Sequence, residues 1–185
     1  MNTGCLILAG GKSRRMGYRK SSLRLKGTTF LDKLIFELRD FPEILVSVDD
    51  AARHPEIPYS MIDDRYSDCG PMSGVYSALS VCKSDALLVL PCDVPLFTGA
   101  LAHHLQEVME HSDTDALICV TADERIHPLC GIYCKSCIPA LERCLNNGNL
   151  RIMDALNDLK VHFYHVEEDS WQLQNINTPE EYQNL

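Results

Sequence analysis

No stretch of this 185-residue sequence approaches the roughly eighteen consecutive apolar residues needed for a membrane-spanning helix. The apolar segment near residue 6 is also short and has no basic leader, so a cytoplasmic protein without a membrane partner is expected. Internal repeats, low-complexity tracts and linker-like segments are missing as well. At this length the expectation is one sizeable core, a single domain over residues 1–185. Acidic residues are absent from positions 1–31, which hold seven Lys or Arg, whereas the remainder holds ten basic and twenty-six acidic residues. A basic pole of +7 therefore sits on a body of −16. General nucleic-acid binding favours a broad basic surface and is not expected; a small polyanion is.

Disulfide pairing is not expected either. Nine cysteines are present, but the number is odd and several lie inside apolar runs, which points to reduced thiols. Cys130, Cys134 and Cys137 have a spacing used by iron–sulfur radical enzymes. Without glycine-rich cofactor motifs beside them, small buried thiols explain them better than a metal-binding protein does.

What the sequence does have is concentrated in Leu6–Lys20. Cys5 to Ala9 is an apolar run without alternation, the pattern of a strand covered on both faces in a parallel sheet. Gly10 and Gly11 then allow backbone N–H groups to approach an anion, and Lys12, Arg14, Arg15, Arg19 and Lys20 follow within nine residues. A P-loop is excluded because Leu6 stands where the first glycine belongs, and a dinucleotide-binding fingerprint is excluded by Lys12. The stretch reads as a polyphosphate site of another kind.

Strand and helix patterns alternate downstream. Thr28 or Thr29 caps a helix with apolar positions Phe30, Leu31, Leu34, Ile35 and Leu38, ended near Pro42. Strands are expected at 44–48, 59–62, 86–90, 116–121, 125–134 and 161–166. Helices are expected at 70–82, 98–110, 136–145 and 151–159, with a last one started by Thr178. This predicts an α/β fold: a three-layer α/β/α sandwich around a mostly parallel, mixed, Rossmann-like sheet. Ligands of such sheets bind beyond the carboxyl ends of the strands, where the basic loop, Asp64 and Asp93 would converge.

Leu8-Ala9-Gly10-Gly11-Lys12-Ser13-Arg14-Arg15-Met16-Gly17, followed by Lys20, resembles the signature of the molybdenum cofactor guanylyltransferases. The resemblance continues in order through Gly70-Pro71-Met72-Ser73-Gly74, Pro91-Cys92-Asp93-Val94-Pro95, His127-Pro128, Asn149-Leu150-Arg151 and Asn175 to Glu181, and so spans nearly the whole chain. It implies a nucleotide-diphospho-sugar-transferase-like fold. It also implies transfer of GMP from GTP to the terminal phosphate of molybdopterin, with loss of pyrophosphate. Molybdoenzymes, their chaperones and other cofactor-biosynthesis proteins are the partners it implies.

Carried over residue by residue, the resemblance makes Lys20, Arg15 and Asp93 catalytic. Leu8, Ala9, Gly10, Gly11, Lys12, Ser13, Arg14, Lys20, Asp64, Gly70, Gly74 and Asp93 would bind nucleotide. Asp93 would hold Mg²⁺, with Mn²⁺ as a substitute, since hard cations take oxygen ligands and keep waters and phosphates around them. Asn175, Asn177 and Arg151 would meet the pterin substrate. Each has a plain structural alternative: a turn for Asp64 and Asp93, a helix start for Gly70–Gly74, Asx capping for Asn177, and a solvated arginine at Arg151. Gly10 favours guanine, because cytidylyl-transferring relatives more often carry alanine there. Ser47 departs from the family, which commonly has a nucleotide-binding asparagine at that place. Cytidylyl transfer and a nucleotide-binding regulatory module without catalysis are the alternative functions.

Overall fold

The computed structural model describes residues 1–10, 23–25, 27–55, 57–176 and 180–181. Within them, β1 (Thr3–Leu8) is followed by a small antiparallel pair, β2 (Arg24–Leu25) and β3 (Thr28–Thr29), and by α1 (Phe30–Glu37). Next come β4 (Ile44–Val48), β5 (Met61–Asp63), α2 (Pro71–Val81), β6 (Ala86–Pro91), α3 (Gly99–Glu110) and β7 (Ala116–Thr121). The chain continues through β8 (Ile126–Cys134), α4 (Ile138–Asn146), α5 (Ile152–Leu156) and β9 (Val161–Val166). Single 3₁₀ turns cover 51–53, 135–137 and 170–173.

Helix starts follow local chemistry. Thr29 caps α1 by accepting from the Asp32 N–H, and Thr98 caps α3 by accepting from the Leu101 N–H. Gly70 opens α2 at φ +67°, a left-handed conformation that glycine adopts without a steric penalty, and Pro71 occupies the first turn where its missing N–H costs nothing.

Seven strands form one sheet in the order β5-β4-β1-β6-β8-β7-β9. Among them β8 alone runs antiparallel to its neighbours, pairing with both β6 and β7. Successive side chains alternate between two core layers. Cys5 and Ile7 of β1 pack with α1 and α3, while Leu6 and Leu8 pack with α2 on the opposite face. Burying both faces explains the unbroken apolar runs, each fully buried leucine contributing about 1.5–3 kcal/mol. The helices thus fall into two layers: α1 and α3 on one face, α2, α4 and α5 on the other.

Up to residue 166 each expected strand and helix is present; α1 ends at Glu37, short of Pro42, and three further elements differ. The third strand starts two residues later than expected, at Met61, because Tyr59 turns away to donate its hydroxyl to Asp32. Helix α5 stops at Leu156 rather than 159, a turn short of Lys160, whose N–H is taken by Asp115. Strand β8 is irregular: Ile118 pairs with Gly131 and Cys119 with His127, so Pro128-Leu129-Cys130 form a bulge. Proline has no N–H to give a ladder, and the Pro128 carbonyl is taken by the buried Tyr133 hydroxyl. The helix expected from Thr178 begins in residues outside those described.

The cysteine trio does not assemble. Cys130 is buried in the layer of α1 and α3, with Cys134 packed against it, whereas Cys137 is buried in the layer of α2 and α4. No group of three His, Cys, Asp or Glu side chains arranged to hold a metal ion occurs among the described residues. Burial pushes the Cys130 thiol well up and the Cys137 thiol to about 12, away from thiolate chemistry.

Candidate active site

Register brings the carboxyl ends of four strands side by side. Leu8, the last residue of β1, pairs with Ser47 on one side and with Pro91 on the other, and Val48 pairs with Asp63. Whatever follows β1, β4, β5 and β6 must therefore emerge along one edge. Ala9 and Gly10 follow β1, Asp49 follows β4, Asp64 follows β5, and Cys92-Asp93 follow β6.

The turn after β1 is tied down by Ser47. Its carbonyl accepts from the N–H groups of both Ala9 (2.9 Å) and Gly10 (3.0 Å). A side chain at Gly10 would bring its Cβ to 3.0 Å from the Asp49 nitrogen and 3.2 Å from the Val48 Cα, so the close approach here is between two backbones. On the other flank, Leu8 accepts from the Cys92 N–H at 3.0 Å, which fixes the start of the Asp93 turn.

Asp93 is 8% exposed at the end of β6. Its Oδ1 accepts from Asn175 Nδ2 at 3.2 Å and its carbonyl from the Ile176 N–H at 2.8 Å. Asn175 and Asp93, expected to serve different substrates, are in contact. The segment before Asn175 is held in turn by Gln172, whose Oε1 accepts from both the N–H and the hydroxyl of Thr98. The Asp93 carboxylate is a hard oxygen ligand, the kind a divalent cation takes when water and phosphate oxygens complete its shell, while the Asn175 N–H beside it orients the carboxylate and is not itself a ligand.

Asp64 follows β5 and is partly buried. Its N–H donates to the Val48 carbonyl at 3.1 Å, and its Oδ1 accepts from the Ser47 hydroxyl at 2.9 Å. Loss of hydration raises its pKa to about 6, the Ser47 hydrogen bond works against that rise, and the charges of Asp49 and Asp63 add to it. The residues after Asp64 are pinned to α2, since the Arg65 N–H donates to Ser77 Oγ and the Tyr66 N–H to Ser73 Oγ.

Gly70 and Gly74 differ. Around Gly70 the space a Cβ would take is open to 4 Å. At Gly74 it is filled, by Ser47 Oγ at 2.4 Å and Leu8 Cδ2 at 2.9 Å. Gly74 therefore lets α2 press against the ends of β1 and β4. Arg151 lies exposed just before α5 and makes no contact with Asp93 or Asn175 among the described residues; its N–H is capped by Asn149 Oδ1 at 3.1 Å. Gly11, Lys12, Ser13, Arg14, Arg15, Lys20 and Asn177 lie outside the described residues.

Ser47 is the residue that the sequence reading left out of the site. The structure puts it at the centre, touching Ala9, Gly10, Asp64 and the approach to Gly74. The available signal was its departure from the family's asparagine at that place.

The MobA-like NTP transferase domain model matches residues 5–161. A protein of Clostridium perfringens strain 13, named as a probable molybdenum cofactor guanylyltransferase, is 36% identical over 97% of this chain and 93% of its own length. A protein of the same name from Carboxydothermus hydrogenoformans is 32% identical over 100% and 95%. In fold, the chain is similar to the crystal structure of molybdopterin-guanine dinucleotide biosynthesis protein A from Archaeoglobus fulgidus. That comparison has a TM-score of 0.86 and 24% identity, covering 100% of this chain and 96% of the other. The family match over most of the chain, the full-length relatives and the edge built from Gly10, Ser47, Asp64 and Asp93 lead to one conclusion: this chain is a nucleotidyltransferase belonging to the MobA-like NTP transferase family.

Proposed function

We propose that this chain transfers GMP from GTP to the terminal phosphate of molybdopterin, forming molybdopterin guanine dinucleotide and releasing pyrophosphate. The observation that carries the reading is the meeting of Gly10, Asp64 and Asp93 on one sheet edge, with Asn175 bonded to Asp93. The full-length relatives named as guanylyltransferases support it.

The reaction is a displacement at the α-phosphate of GTP, and it needs alignment and charge neutralisation more than covalent help from the protein. The Ala9 and Gly10 N–H groups are taken by the Ser47 carbonyl, so the backbone N–H groups that would meet the phosphates are those of Gly11 to Ser13. Lys12, Arg14, Arg15 and Lys20 supply cations against the charge that builds as pyrophosphate leaves, with Lys20 the indispensable one. Asp93 would hold Mg²⁺, which supplies charge neutralisation at the phosphate oxygens when bound. Asn175 orients Asp93 through its Nδ2 hydrogen bond, and Asn175, Asn177 and Arg151 would meet the pterin substrate. The acidic group Asp49, Asp63 and Asp64 repels phosphate, so the nucleoside end of GTP belongs there and the triphosphate belongs toward the basic loop.

Gly10 favours guanine over cytosine in this reading. Pyrophosphate release should be measured with GTP, CTP or ATP, Mg²⁺ and molybdopterin. Turnover with GTP is expected. Turnover with CTP alone would reassign the donor to cytidylyl transfer, and tight GTP binding without turnover would favour a regulatory module.

A further inference from the structure

We propose that Ser47 is a positioning residue of the nucleotide site, its hydroxyl aiming the Asp64 carboxylate at hydrogen-bond donors on the nucleoside half of GTP. The inference rests on the GTP reading and adds to it a residue that takes the place of the family's asparagine.

Everything around Asp64 except one oxygen is fixed. Its backbone N–H is bound to Val48, and the next two N–H groups are bound to Ser77 and Ser73 of α2. Its Oδ1 is held by Ser47, which is itself 3% exposed. Oδ2 accepts no hydrogen bond from the described residues. A carboxylate held by one oxygen and open at the other is an acceptor awaiting a donor. Ribose hydroxyls and base N–H groups are donors, whereas phosphate oxygens are not.

Ser47 cannot be replaced by a larger donor without cost. Its Oγ occupies the space that Gly74 leaves, at 2.4 Å from where a Cβ there would be. The short hydroxyl and the missing side chain are therefore one device: α2 closes down on a serine, and the serine reaches Asp64. An asparagine would need that same space.

Ser47 also keeps Asp64 ionised. The ionisable groups facing Asp64 among the described residues are Asp49, which is bonded to His54, and Asp63, which accepts from the Ala51 N–H; both carboxylates oppose its charge. The Ser47 donor is the contact that favours the charge, so its loss moves protonation of Asp64 to higher pH.

The test is GTP affinity by calorimetry at pH 6 and pH 8 for the intact protein, its Ser47→Ala variant and its Asp64→Asn variant. It is joined by a carbon-13 NMR titration of the Asp64 carboxyl, assigned with Asp64→Asn. In the unaltered protein the carboxyl should titrate near pH 6, and in Ser47→Ala at a higher pH. Ser47→Ala should weaken GTP binding about tenfold at pH 6, a typical effect of losing one hydrogen bond to a charged group, and clearly less at pH 8. A purely structural defect would weaken binding equally at both values and would overturn the inference, as would an unmoved Asp64 titration. Binding of GTP by the unaltered protein with no difference in Ser47→Ala overturns the role of Ser47 alone. Absence of GTP binding at either pH overturns the guanylyl-transfer reading and this inference with it.

Discussion

Asn175 donates from Nδ2 to Oδ1 of Asp93 at 3.2 Å, joining residues 82 positions apart, and the following N–H, of Ile176, is bound to the Asp93 carbonyl. The end of the central strand β6 is thereby clamped by the last described segment before residue 177. Asp93→Asn keeps the size and the amide contacts but removes the charge. It should lower turnover by roughly 10²–10³-fold, in line with losing a preorganised electrostatic group. Asn175→Ala should act in the same direction more weakly, through the orientation of Asp93. Pyrophosphate release from GTP, read beside thermal melts, checks both; unchanged turnover in Asp93→Asn would remove Asp93 from the machinery.

Glycine inside a helix normally costs about 1 kcal/mol against alanine, so Gly74→Ala would ordinarily stabilise α2. Here the added Cβ meets Ser47 Oγ at 2.4 Å and Leu8 Cδ2 at 2.9 Å, both in the core beneath the site. The clash wins, with an expected loss of about 1–3 kcal/mol. At about 2–4 °C per kcal/mol for a chain of this size, the melting temperature should fall measurably. Because much of the clash is with the Ser47 hydroxyl, the cost should shrink in a Ser47→Ala background, and a double-mutant cycle measures that coupling.

Asp64 makes stability depend on pH in a direction opposite to most surface carboxylates. Its folded pKa of about 6 lies above the ordinary 3.8. Its contribution to stability is therefore fully present below about pH 4, declines between 4 and 6, and is lost as pH rises through the folded value. Asp64→Asn removes the charge that disfavours the fold. It should raise stability at pH 7.5 by about 1 kcal/mol, after discounting for the partial solvent screening of this site, and leave it unchanged near pH 4. Chemical denaturation at the two pH values checks the sign; equal effects at both would place the raised pKa in doubt.

The sequence carried the elements of this fold further than their arrangement. Ala116–Thr121 and Val161–Val166 are strands with the expected boundaries, because each is a compact run bounded by polar residues. The insertion of β8 between β6 and β7 has no such mark. Its nine residues read as a strand in either direction, and Pro128, which hints at irregularity, became intelligible as a bulge only once Ile118 and Cys119 were seen to pair with residues four apart. At the site, Asp64 and Asp93 could be anticipated because they follow strands and resemble those of the family, which sets them apart from Asp49 and Asp63, carboxylates that also stand at strand ends. Ser47 could not be chosen on its own chemistry, since its partner lies 17 positions away and a buried strand serine looks like any other.

The place of β8 also sets an order of events in time. Residues 3–91 contain everything needed to pair β5, β4, β1 and β6, all by parallel contacts among segments made early. Strand β7 precedes β8 in the chain but reaches the rest of the sheet only through it. A chain emerging from the ribosome therefore holds β7 in waiting until residues 126–134 have appeared, and β9 can be added only to β7. The edge that carries Gly10, Asp64 and Asp93 is thus assembled from the first half to be synthesised, whereas Asn175, which clamps Asp93, arrives near the end and completes it.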